Sequence, residues 1–183
     1  MKKFIRIVYP KFMKPLFNNL NEALTYHLEG LHDAEKKLQV AIPSAIAHAN
    51  STALKGVLEN YVSSAGDKRV KLKRAFSYLL SGPFGKQSKA IGEMISELST
   101  ISKKTSTPEI KDALLGSCLS AIIHYKISGY SSAMSFALAL ELHPVADLIS
   151  EMLEWESETK QALEKIMRKL SSRAAKQATT LQS

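Results

Sequence analysis

Two carboxylates stand where the apolar pattern leaves little room for charge. Glu35 follows Leu31 and Ala34 on one helical stripe, and Glu156 falls within the stripe Val145, Leu148, Ile149, Met152, Leu153, Thr159, Leu163. A carboxylate removed from water is costly unless a cation meets it. Three environments satisfy that demand: a metal ion, a basic side chain, or an edge of the core that water still reaches. His124, inside a long run of apolar and small residues, adds an imidazole donor. If the first of these environments applies, Glu35, His124 and Glu156 would be the oxygen and imidazole donors to iron or another divalent metal. For His124 the competing reading is a hydrogen-bonded core histidine. His27 and His32 lack the i, i+4 spacing of a zinc pair, and His48 and His143 lie near helix ends, where capping accounts for them. Tyr125 and Tyr130 have the chemistry of electron relays, with packing as the plainer alternative. Cys118 is the only cysteine, which excludes an intrachain disulfide and a thiolate zinc cluster. No residue is assigned a catalytic role, and no small-molecule substrate is indicated.

The elements that must position these groups are all helices. Leu20, Leu24, Leu28, Leu31, Ala34, Leu38 and Ile42 recur every three or four residues, with Asn18 or Asn19 as the cap and Pro43 expected to kink or stop the helix. A second helix follows Ser51 and ends at Ser81-Gly82-Pro83-Phe84-Gly85, where turn chemistry is strong. A shorter third helix carries Ile91, Met94, Ile95, Leu98 and Ile101. Thr107-Pro108 then opens a fourth, as N-cap and first helical residue. From Cys118 to Ala139 this fourth helix is apolar or small nearly all round, which predicts a central place in the bundle. His143-Pro144 opens the fifth. Nothing reads as a strand, and there is no Gly-rich phosphate loop or Gly-x-Ser-x-Gly elbow. The fold class expected is all-α: a ferritin-like antiparallel helical bundle, four long helices plus one short helix in the crossover.

The chain has 183 residues and a formal net charge of +8. That length suits one domain. Residues 1–16 carry +5 and residues 160–183 another +5, which leaves −2 for residues 17–159. The basicity belongs to the ends, so a solvated tail is the first expectation and contact of the basic termini with nucleic acid or an anionic membrane the second. The expected organisation is a basic N-terminal segment at 1–16, the bundle at 17–170 and a disordered basic tail at 171–183. Arg6, Pro10, Lys11, Lys14 and Pro15 interrupt any secretory apolar region, and no stretch is long and uncharged enough to span a membrane. A cytoplasmic protein is expected.

Several segments then resemble one family. LEGLHDAEKKLQVAIPSAIAHANSTALKGVLENY at 28–61, KAIGEMISE at 89–97, HYKISGY at 124–130 and LEWESETKQAL at 153–163 resemble, in order, the helices of the YciF-type ferritin-like stress proteins of bacteria. The resemblance covers about residues 17–167. It implies a homodimer and a di-metal carboxylate centre with ligands from four helices. Glu35 and Glu156 match ligand positions. Elsewhere the match fails: the second helix reads Ser63, Ser64, Ala65, Gly66, Asp67, Lys68, with Asp67 as a possible substitute; Ile123 and Lys126 flank His124-Tyr125; and Lys160 follows Glu156 by one turn. A lysine at a ligand position repels the cation. Lys68, Lys126 or Lys160 is expected to pair with Glu35 and Glu156, turning the centre into a salt-bridged core.

The expected function is a stress-response or structural ferritin-like protein, more a non-enzyme than an enzyme, without a functional di-iron centre and with no cofactor. The competing expectations are a di-metal oxidase or peroxide scavenger using iron or manganese, and a module that binds through its basic termini.

Overall fold

The computed structural model of the chain describes residues 17–180. The 1–16 segment, with its basic charge, and residues 181–183 lie outside the described residues. The elements are α1 (Leu20–His48), α2 (Thr52–Tyr78), α3 (Lys89–Lys104), α4 (Pro108–Ala139) and α5 (His143–Thr180), with no strand among the described residues.

Local chemistry sets these boundaries. Asn19 caps α1 by accepting from the Glu22 backbone N–H at 2.9 Å, and Glu22 reaches back to accept from the Asn18 N–H at 2.8 Å. That reciprocal pair satisfies donors the helix leaves open. Pro43 does not stop α1, which continues to His48. Leu80 closes the turn after α2 with φ 48°, a left-handed conformation rare for a leucine, and its side chain projects into solvent. Pro108 sits in the first turn of α4 as expected, but the Thr107 side chain makes no capping bond. Tertiary carboxylates do the capping elsewhere. Asp112 of α4 accepts from the Asn50 and Ser51 N–H groups at the start of α2, at 2.8 and 2.7 Å, and Asp33 of α1 accepts from the Ser88 N–H at the start of α3, at 2.7 Å.

Two apolar clusters fill the interior and show how the helices run. One joins the C-terminal half of α1 to the start of α2, the start of α4 and the later part of α5, through Leu38, Ile42, Leu54, Leu58, Leu119 and Leu163. The other joins the start of α1 to the end of α2, the end of α4 and the start of α5. Neighbouring helices are therefore antiparallel, while α2 and α4 run the same way. The chain must travel the length of the bundle between them, and α3 lies in that crossover, against α1 and α4. This is the one-crossover arrangement of ferritin-like bundles.

Two expectations need correction. α4 is one of four corner helices, packed on α1, α3 and α5, and not a central helix. Its outer side, with Ser117, Ala121, His124, Ser128, Ser131 and Ser135, is exposed. Small neutral residues tolerate either environment, so their presence all round does not mark a helix as central. Likewise α5 continues to Thr180, through much of the span expected to form a disordered tail. Among the side chains described, its last buried one is Leu170; residues 171–176 are mostly exposed, so no apolar stripe announces this part of the helix.

No helix among the described residues is long and apolar enough to cross a membrane.

Candidate functional site

Midway along the bundle, between the two apolar clusters, each long helix contributes polar side chains to one buried layer. Glu35 comes from α1 between Leu31 and Leu38, and Glu156 from α5 between Met152 and Leu163. Tyr61 and Lys68 lie seven residues apart on α2, and Lys126 and Tyr130 four apart on α4, so each pair shares one helix face. All six are at most 1% exposed.

Lys126 is the hub. Its ammonium lies 2.6 Å from Glu35 Oε1, 2.6 Å from Glu156 Oε1 and 3.0 Å from the Tyr61 hydroxyl. It donates hydrogen bonds to Glu156 and Tyr61 and forms an ion pair with Glu35, so three oxygens surround the one ammonium. Tyr61 in turn donates to Glu156 Oε2 at 3.3 Å, and Lys68 donates to Glu156 Oε1. Tyr130 donates to Glu35 Oε1 at 2.7 Å, while Glu35 Oε2 is buried with no hydrogen-bond partner. The Tyr61 ring also faces both cations, with Lys126 and Lys68 at 4.7 and 5.0 Å from its centre. Two carboxylates and two ammoniums balance in a space that excludes water, the condition under which buried ions are tolerated.

The environment fixes the proton positions. For Lys126, burial opposes the charge, but Glu156 and Glu35 outweigh it and hold the ammonium protonated well above the ordinary lysine range. Burial also opposes the Glu156 carboxylate; Lys126 and Lys68 overcome it and draw its pKa below the ordinary value. Lys68 goes the other way, lowered by burial and by the charge of Lys126. Burial, reinforced by the two carboxylates, pushes Tyr61 and Tyr130 well above 10, so both phenols stay neutral donors.

Of the residues the sequence marked, Glu35 and Glu156 meet across Lys126, and His124 does not join them. His124 is exposed, its Nδ1 2.8 Å from the Ser120 carbonyl in the preceding turn. Asp67 is exposed in a groove between α2 and α5 beside Ser64 and Glu158, away from the layer. Lys160 pairs at the surface with Glu164 at 3.6 Å, so of the three lysines only Lys68 and Lys126 reach the glutamates. Ile123 is buried in the apolar core. Tyr61, which the sequence places only on the apolar stripe of α2, and Tyr130, expected as packing or an electron relay, are hydrogen-bonding members of the layer. Both were findable, since each puts a hydroxyl on a core stripe in register with a buried lysine.

The donor set does not fit a di-metal centre. Such centres draw carboxylates and imidazoles from four helices. Here two helices supply ammoniums, and the one at Lys126 holds the position between the carboxylates from which a metal would bind both. No group of three or more His, Cys, Asp or Glu side chains among the described residues could hold an ion.

A protein-family model described as a domain of unknown function (DUF892) matches residues 19–176. The chain belongs to this family. The stress protein YciF of Escherichia coli shares the fold at a TM-score of 0.82, with 18% identity over 85% of this chain and 99% of its own. YcfI of Rhodopseudomonas palustris, provisionally described as a structural protein, gives a TM-score of 0.79 with 21% identity over 84% of this chain and 98% of its own. A protein of Xanthomonas campestris pv. campestris gives 0.70 with 15% identity over 88% and 99%. These structures bear out the YciF-like resemblance and the fold. No curated protein sequence matches the chain.

Proposed function

We propose that this chain is a non-catalytic structural or stress-response bundle in which a buried Glu–Lys–Tyr layer replaces the di-metal centre implied by its resemblance to ferritin-like proteins. One observation carries the reading: the Lys126 ammonium is within 2.6 Å of both Glu35 and Glu156. A metal bound to those carboxylates would have to displace a cation already held by Glu35, Glu156 and Tyr61, and would face Lys68 as well. The layer's work is to fix the helices against one another. Sliding or rotating any long helix would strand a buried charge, a penalty of several kcal/mol per ion. The names of two structural neighbours, a stress protein and a provisional structural protein, agree with this role.

The test is redox and metal chemistry on the purified full chain. Incubation with Fe(II) or Mn(II) followed by desalting should leave well under one metal per chain, and Fe(II) oxidation by peroxide should proceed at the rate of buffer alone. About two metals per chain, or a rate that scales with protein concentration, would overturn the proposal. A homodimer, implied by the family resemblance, belongs to the same reading; light scattering should give twice the mass of one chain, and a monomer mass would remove it.

A further inference from the structure

Away from the ionic layer, a second polar cluster lies between α1, α4 and the α2–α3 connection. It surrounds a cavity of about 170 Å³ lined by His27, Lys86, Tyr125, Ser128 and Ser132, with Leu31 as an apolar wall. Tyr125, Ser128 and Ser132 recur at helical spacing along one stripe of α4, so three hydroxyl-bearing side chains border one opening. No carboxylate borders it.

Lys86 is held there by construction. Its ammonium lies 3.5 Å from the centre of the Tyr26 ring. The end of its side chain passes 3.2 Å from where a Cβ on Gly30 would stand, so Gly30 gives the lysine its berth. Gly129 lets α4 approach α1 in the same way, its Cβ position lying 3.0 Å from Leu31. Lys86 forms no ion pair among the described residues, and Glu29, which approaches Gly85 next to it, does not reach it. His27 packs edge-on against Phe136 at 5.4 Å and has its pKa lowered by burial and by the Lys86 charge. The result is a half-enclosed positive cavity with hydroxyl and ring N–H donors and no acid. At about 30 Å³ per water, 170 Å³ accommodates roughly five or six small heavy atoms, the size of a tetrahedral or planar oxyanion.

We propose that this cavity binds a small oxyanion, a phosphate or carboxylate group, with Lys86 as its counter-ion and Tyr125, Ser128 and His27 as hydrogen-bond donors, the Ser132 hydroxyl being engaged with the Ser128 carbonyl at 3.0 Å. The site is independent of the Glu–Lys layer and holds or fails apart from the function proposed above.

The experiment is an NMR titration of the full chain, following the His27 ring signals as sodium phosphate or sodium acetate replaces chloride at constant ionic strength. A saturable shift of His27 is expected with at least one of the two anions. The His27 pKa should rise when the anion is bound, because the ligand offsets Lys86 and favours the imidazolium. Phosphate alone identifies a phosphate site, and response to both identifies a general oxyanion site. Lys86→Met should weaken binding about tenfold or more, as expected for loss of a charge-assisted partner. Lys86→Arg should retain it, and Lys73→Met, an exposed change on α2, should leave it unaltered. Absence of a saturable shift with either anion, or an undiminished shift in Lys86→Met, overturns the proposal.

Discussion

Glu35 on α1 and Glu156 on α5, diagonally placed in the bundle, are bridged by a single atom: Lys126 Nζ, 2.6 Å from Oε1 of each. Lys126 thereby ties together three of the four long helices, and its bond to Tyr61 brings in the fourth. The stability and proton balance of the bundle should both depend on this contact.

Lys126→Met leaves two buried carboxylates facing only Lys68. Removing one partner of a buried ion pair typically costs about 3–5 kcal/mol, and that loss is expected here in urea unfolding. Replacing the whole layer with apolar residues, as Glu35→Leu, Lys68→Met, Lys126→Met and Glu156→Leu together, should recover much of it, since no charge is then stranded. A loss under about 1 kcal/mol for Lys126→Met would show that the pair is not dry.

The pH profile follows from the directions of the shifts. Glu156 titrates lower in the folded state than in the unfolded chain, so its stabilisation is complete above the ordinary glutamate range and is lost as pH falls through its lowered folded value. Lys126, Tyr61 and Tyr130 titrate higher when folded, so their contribution is complete below about 10 and is lost as pH climbs beyond it. Lys68, lowered, works in the opposite sense: between its folded value and about 10.4 its contribution improves with rising pH. Unfolding free energies measured across pH should therefore fall at both extremes, and Glu156→Gln should flatten the acid limb. An acid limb unchanged by Glu156→Gln would contradict the assignment.

Asp112 is a cap supplied from another helix. Its carboxylate takes the Asn50 and Ser51 N–H groups at 2.8 and 2.7 Å, so Asp112→Ala strands two donors at the start of α2. A destabilisation of about 1–3 kcal/mol is expected in chemical denaturation. Hydrogen exchange should locate the loss in the first turn of α2, and uniform change along the helix would argue against a local cap.

Cys118 should be an inert thiol. Burial, and secondarily Glu97, push its pKa up to about 11, and the side chain is 6% exposed. Since the thiolate is the nucleophile, alkylation by iodoacetamide at neutral pH should be slow in the folded protein and fast in urea. Equal rates in the two states would contradict this placement.

The sequence carried much of this design. Apolar spacing located all five helices, and Glu35 and Glu156 stood out because they interrupt core stripes. The inward direction of α4 was harder to read. His124 and Lys126 are two residues apart, about 200° around the helix, so only one of them can face the core. With serines and alanines on every side, local polarity does not choose between them. The choice is set by register with Ile122, Ile123 and Tyr130, which puts Lys126 inside and His124 out. The last turns of α5 are hard to read for a related reason: residues 171–176 are mostly exposed and include Ala174 and Ala175, so no core stripe marks a helix that residue propensity favours.

Whether Lys126 replaces the metal is tested by a crystal structure of the full chain grown after Fe(II) loading, with anomalous data at the iron edge. No anomalous peak is expected between Glu35 and Glu156, with Lys126 Nζ within hydrogen-bond distance of both carboxylates. An iron peak bonded to either glutamate, with the Lys126 side chain turned away, would contradict it.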